Sequence, residues 1–158
     1  MGKISAEIIV FFSAMVPFIE IKASIPLGLS LGLSKITAYI FSVSGMIIPG
    51  VIYLLVLDPL TKFARNKSKF LDAFLKKLFE KTRKEHSTKF RKLGPLFLIL
   101  LVGIPLPGSG TMTGAFVSFV FGIEYWTAIA FISIGAMISG ILVLGGVSSI
   151  ITLINFFS

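Results

Sequence analysis

Apolar residues fall in four long blocks, two on either side of one basic stretch. Residues 36–57 run for 22 positions without a charge, which suits one helical span of a hydrocarbon core about 30 Å thick. Residues 125–157 are also uncharged; Gly145 and Gly146 predict a break there, leaving a span of roughly 20 residues and a short terminal helix. The other two blocks, 4–34 and 93–123, hold 31 residues each, and each is interrupted near its centre. PFIEIKASIP (17–26) interrupts the first and GIPLPGSG (103–110) the second. As one helix, 31 residues would reach roughly 46 Å, long for one span and short for two. A helical hairpin that enters halfway, turns and leaves on the same face needs about this length. Irregular backbone survives at such depth only where protein or a water-filled cavity surrounds it. We read both blocks as re-entrant hairpins, turned at Pro17 and Pro26 in the first and at Pro105, Pro107 and Gly108 in the second. Kinked full spans are the alternative.

The two halves resemble each other at a constant offset of 90 residues. Gly32, Thr37, Ala38, Phe41, Gly45, Ile48 and Gly50 pair with Gly122, Thr127, Ala128, Phe131, Gly135, Ile138 and Gly140. Pro17 falls on Pro107 and Glu20 on Gly110, so the two turns coincide. The expected fold is therefore an all-α integral membrane protein of two copies, each a hairpin plus a span. One crossing per copy makes the copies inverted, a plan that puts a transporter's site at the midplane between repeats. Gly45, Gly50, Gly135 and Gly140 recur at helical spacing and allow helices to approach closely.

Composition agrees with a bilayer: 55% of the 158 residues are hydrophobic and 14% charged, against about 25% charged in soluble domains. The net charge of +8 is concentrated, since residues 62–92 hold 12 of the 15 lysines and arginines. We expect this segment, within a loop over 58–92, to face the cytoplasm and meet anionic lipid headgroups, in a multi-pass protein of the plasma or inner membrane. Nucleic acid is the lesser reading of such a patch and is not expected as a partner. Phe70, Leu71, Phe74, Leu75, Leu78 and Phe79 recur at helical spacing there, predicting an amphipathic helix on the membrane surface or, alternatively, packed on a neighbouring subunit. Two spans and two hairpins make a small body, and a homodimer is an open option.

Candidate chemistry lies at the two turns. Glu20 and Lys22 sit near the centre of an apolar block, where an ionisable group costs about 2.5–3.5 kcal/mol on insertion scales and so calls for a role. The bland alternative is an internal ion pair that holds the turn. The functional one has Lys22 binding an anionic headgroup and Glu20 exchanging a proton. In the second turn Ser109, Thr111 and Thr113 offer hydroxyls, Gly108 and Gly110 expose backbone N–H groups, and a following half-helix would aim its positive end at the same spot. Capping of that half-helix by Ser and Thr is the structural alternative. No cysteine, one histidine and no Ser-His-Asp set or ligand spacing point to no metal, no cofactor and no enzyme.

These two motifs resemble the small multidrug export family, distant relatives of the DedA and VTT-domain membrane proteins. The family pattern P-x-x-E-x-[RK]-x-x-x-P is met by Pro17, Glu20, Lys22 and Pro26. Its later pattern P-x-P-G-[ST]-G-x-x-T-G is met by Pro105, Pro107, Gly108, Ser109, Gly110, Thr113 and Gly114. Lysine stands where arginine is usual, keeping the charge but losing the bidentate fork. Met112 stands where an aromatic is common. The resemblance implies a membrane transporter with two re-entrant hairpins, and DedA-like relatives imply proton-linked movement of a polyprenyl-phosphate-like anionic lipid. The family name implies export of amphiphilic drugs instead; a non-transporting scaffold is the third alternative.

Overall fold

The computed structural model describes residues 3–17, 19–67, 69–106 and 108–157, and leaves aside the side chains of 3–4, 58, 60, 62, 64–71, 74, 85–89, 91, 148 and 150–157. Every described element is helical: α1 (Lys3–Ala14), α2 (Glu20–Ser30), α3 (Lys35–Lys67), α4 (Lys69–Leu93), a 3₁₀ turn (Gly94–Leu96), α5 (Phe97–Gly103), α6 (Thr111–Phe121) and α7 (Tyr125–Phe157). Two apolar stretches of 23 residues, Lys35–Leu57 and Tyr125–Val147, are long enough to cross a bilayer. The four shorter arms are not, since the 11 residues of α2 or α6 reach only about 16 Å.

Large apolar side chains cover the outside. Ile36 is 71% exposed and Trp126 70%, and Phe12, Ile40, Ile52, Leu55, Ile141 and Leu142 also face outward. A soluble monomer rarely leaves so much contiguous apolar surface in water, whereas lipid is its natural solvent. This is a membrane protein. Inside, Ile21, Ile25, Met46, Leu98, Val102 and Ile132 form the main core, and Ala6, Val10, Leu33 and Ala38 a second one beneath α1.

Glycine spacing sets how closely the helices approach. A Cβ on Gly45 would overlap the Phe11 carbonyl of α1, and one on Gly135 would lie 2.8 Å from Val102 of α5. Gly50 faces Thr111 of α6, and Gly140 faces Tyr39 of α3 and Ile21 of α2. So α1 packs on α3 and α5 on α7, while α6 reaches α3 and α2 reaches α7. Interchanging the halves leaves this pattern unchanged. We expect Gly45→Ala and Gly135→Ala each to cost about 1–3 kcal/mol through overpacking. Gly145→Ala, with no atom within 4 Å of its Cβ, should be neutral or stabilising by up to about 1 kcal/mol. Thermal unfolding in detergent separates the two outcomes.

Helix ends recur at the same offset. α2 stops at a left-handed Gly32 (φ +82°), with Leu33 N–H donating to Gly28 C=O at 3.0 Å; α6 stops at Gly122 (φ +65°), with Ile123 N–H donating to Ser118 C=O at 2.9 Å. This is the Schellman closure, which needs a residue tolerant of positive φ. The next helix then begins with a polar pair, Ser34 Oγ with Thr37 Oγ1 at 2.8 Å, and Thr127 Oγ1 donating to Glu124 Oε2 at 2.9 Å.

Several expectations from sequence are corrected. Pro26 is not part of a turn but lies inside α2, and among the described residues the irregular backbone ahead of that helix is 15–17 and 19. In an apolar setting a proline forfeits one helical bond, while an unwound segment would forfeit several. Gly145 and Gly146 do not interrupt α7, which runs unbroken to Phe157, for the same reason. Nor does α3 end at Leu57: it continues through Pro59 to Lys67, and the helix expected within segment 58–92 is α4, from Lys69 to Leu93. Pro107 lies outside the described residues, as do the side chains of Phe70, Leu71 and Phe74.

The basic helix α4 uses its apolar face within the molecule. Phe79 packs on Phe116 and Phe119 of α6 at 5.6 and 5.7 Å between ring centroids, and Phe90 stacks on Phe121 at 4.3 Å. The Arg83 guanidinium donates to the Val120 carbonyl at 3.2 Å, near the C-terminal end of α6, where the helix dipole favours a cation. Lys76, Lys77, Lys84 and Lys92 remain on its exposed side. We expect Phe79→Ala combined with Arg83→Ala to loosen α4, raising protease cleavage within it several-fold relative to wild type.

Candidate functional site

The two hairpin tips meet at the first residues of α2 and α6. Glu20 opens α2 in a left-handed conformation (φ +42°), which costs a non-glycine residue about 1–3 kcal/mol and persists only when its surroundings impose it. Its side chain is 5% exposed. Oε1 accepts the Thr111 N–H at 3.0 Å and the Thr111 hydroxyl at 3.1 Å. The carboxylate thus caps α6 from the opposite half of the chain, because the residue at that helix's own cap position is Gly110 and offers no side chain. A negative charge at a helix N-terminus is favoured by both the free N–H groups and the dipole.

Gly110 leaves the space that Glu20 fills. A Cβ there would overlap the carboxylate, and the backbone sits at φ +151°, where L residues are rarely found. Oε2 is buried and closes no well-formed hydrogen bond among the described residues, although the Met112 N–H also lies against the carboxylate. Lys22 Nζ stands 3.9 Å from Oε2, an ion pair without a hydrogen bond, and donates at 2.7 Å to the Ser109 carbonyl.

The second tip is held by its own hydroxyls. Ser109 Oγ lies 2.6 Å from the Ile104 carbonyl and 2.7 Å from that of Leu106, to one of which its single proton goes at a time. It also accepts the Leu106 N–H at 2.9 Å. Thr113 Oγ1 donates to the Gly108 carbonyl at 2.7 Å. Hence Glu20, Lys22, Ser109, Gly110, Thr111 and Thr113 come together in one place, but the serine and threonine hydroxyls are spent inside the protein. Pro17 and Pro105 flank the tips in irregular backbone, and Gly108 turns the second with φ +80°.

Two apolar cavities border this cluster. One, of about 550 Å³, lies between α3, α4 and α6 and is walled by Tyr53, Val56, Leu57, Leu78, Met112 and Phe116, with Thr82 and Thr113 contributing hydroxyls. The other, of about 390 Å³, runs along α5 from Leu93 and Phe97 to Leu106 and Ser109. Tyr53 lies within electrostatic reach of Glu20. Sequence reasoning missed Tyr53 and Arg83. A phenol in mid-span was a usable signal, but nothing marked Arg83 among the many cations of its helix.

An all-helical membrane protein whose one buried charge, among the described residues, sits where two helix N-termini meet is built around an internal polar site. The chain belongs to the family described as "Putative small multi-drug export protein", whose model matches residues 20–142, and the family's description is of membrane transport. That match begins at Glu20 and takes in both tips from there onward. No curated protein and no solved structure matches the chain.

Proposed function

We propose that this transporter carries an amphiphile with an anionic, polyprenyl-phosphate-like head, linked to protons, through the junction of the two tips. Glu20 takes up and releases the proton and Lys22 holds the anion. One observation carries this: a buried carboxylate, an ammonium and helix N-terminal donors from opposite halves share one cluster, beside an apolar cavity of about 550 Å³. The donors around Glu20, namely the Thr111 N–H and hydroxyl and the Lys22 ammonium, suit an anionic head. The adjacent cavity suits an apolar tail.

We further infer that both hairpins are re-entrant and that the two copies are inverted. Hairpin 2 leaves from the end of α4 and returns to it, since Val120 and Phe121 touch Arg83 and Phe90. Its arms and those of hairpin 1 are half a bilayer long. In this arrangement 58–92 faces the cytoplasm, where the exposed lysines of α4 meet anionic headgroups of the plasma or inner membrane. The sequence contains no cysteine, so single cysteines report topology cleanly. Glu124→Cys and Lys77→Cys should be labelled by an impermeant reagent from the same side. Kinked full spans would place them on opposite sides.

Function is tested in reconstituted vesicles by comparing a labelled polyprenyl phosphate with a lipophilic cation under an imposed proton gradient. Flux of the phosphate that rises with the gradient, and none of the cation, is expected. The second reading, a multidrug exporter, draws on Glu20 Oε2, which closes no well-formed hydrogen bond, and on the family description. Cation flux with counter-movement of protons would establish it in place of the first. Flux of neither, from folded protein, would leave a scaffold.

A further inference from the structure

We propose that Glu20 is a built-in substitute for the substrate's head: its carboxylate occupies the anion site of α6 until a proton and a phosphomonoester displace it together. This rests on the anionic-substrate reading above. The α6 N-terminus presents the Thr111 N–H and hydroxyl to a single oxygen, and that oxygen now belongs to the protein's own carboxylate. Backbone donors at a helix N-terminus accept phosphate and carboxylate oxygens alike.

The carboxylate is held incompletely. Most buried polar atoms of native proteins have a hydrogen-bond partner, and one left over in a charged group calls for a reason. Here Oε2 is buried without a well-formed hydrogen bond, in a side chain 5% exposed, and the nearest cation gives its hydrogen bond to the Ser109 carbonyl instead. Lys22 is therefore placed to swing from that carbonyl to an incoming anion. Met112 and Thr113, which directly follow Thr111, wall the larger apolar cavity, so a head bound at Thr111 has room for its tail beside it.

Charge balance fixes the stoichiometry. Glu20 and Lys22 together carry no net charge. When Glu20 accepts a proton it can no longer serve as an anion, and a phosphate monoanion at Thr111 balances Lys22 again. A net charge at this depth is costly, so one proton enters with each monoanion and the step is electroneutral. The titratable groups facing Glu20 are Lys22 on its own helix and the Tyr53 phenol of α3; α6 has none. On α1, Lys3 and Glu7 lie toward the end away from the tip, and the only ionisable side chain of α7 is Tyr125, at its first residue.

The test is calorimetric titration of the purified full-length protein in detergent with inorganic phosphate and with octyl phosphate, at mildly acidic and mildly alkaline pH. Proton uptake is counted in weak buffer. Wild type should bind octyl phosphate roughly tenfold tighter in acid and take up about one proton per anion. Glu20→Ala should bind at alkaline pH as tightly as wild type does in acid, retain only the pH dependence belonging to phosphate itself, and take up no extra proton. Glu20→Gln, which keeps the side chain's shape, should also lose the proton uptake. Tighter binding of octyl phosphate than of inorganic phosphate identifies a lipid head as the source, and equal binding identifies free phosphate. If Glu20→Ala binds more weakly than wild type, or keeps the wild-type proton uptake, Glu20 is not a displaceable substitute. Failure of wild type to bind either phosphate would instead sink the anionic-substrate reading itself.

Discussion

Gly110→Ala is expected to unseat Glu20 and abolish transport. The added methyl group would overlap the carboxylate directly, and the backbone at φ +151° disfavours any L side chain. Neither strain is easily relieved, since Glu20 is itself fixed at φ +42° and hemmed in by Thr111. Overpacking and backbone strain together amount to about 2–5 kcal/mol, enough to lower the unfolding temperature measurably or to drive Glu20 out of the α6 N-terminus. The two effects separate in a double-mutant cycle. Made in a Glu20→Ala background, Gly110→Ala should cost less by about 1–3 kcal/mol, because the clashing partner is gone. Additive costs would show that Gly110 matters only for its backbone.

Glu20→Gln is expected to leave the fold intact while flux falls by about tenfold or more, consistent with the roughly 1.5–3 kcal/mol that a hydrogen bond to a charged group contributes. Glutamine has nearly the same shape and still accepts from Thr111, so the tips stay joined. It cannot become an anion, however, and so cannot drive a bound phosphate off the α6 N-terminus. Substrate should bind without proton dependence and leave slowly. Comparing the pH dependence of flux in the two proteins checks this: wild type should show a gradient response that the variant lacks.

Much of this arrangement is legible in the chain. Uncharged stretches of spanning length locate α3 and α7, and the offset of 90 aligns the two turns; that Glu20 and Gly110 also touch is visible only in the structure. The glycines at 45, 50, 135 and 140 mark the helix crossings: a missing Cβ lets backbone approach backbone at 45 and 135, and makes room for side chains of the facing helices at 50 and 140. Elsewhere, signals learned in water mislead. Pro26 and the Gly145-Gly146 pair suggest turns, yet in an apolar medium the backbone stays helical because unpaired amides cost more than imperfect propensity. Which donors the second tip keeps for itself is a tertiary matter. Ser109 and Thr113 have the right chemistry for an anion, but their hydroxyls close the loop; Thr111 is the residue of this tip whose hydroxyl reaches across to Glu20, and Lys22, on Glu20's own helix, reaches the other way to the Ser109 carbonyl. The apolar face of α4 was visible as a period, but its partner was not, because lipid, a second subunit and α6 all satisfy the same pattern.

The decisive measurement is translocation of labelled polyprenyl phosphate in proton-gradient vesicles, run side by side for wild type, Glu20→Gln and Lys22→Ala. Rapid flux in wild type, with both variants slowed by about tenfold or more, is the result expected if the tips form the transport site. Equal rates in all three proteins would contradict it.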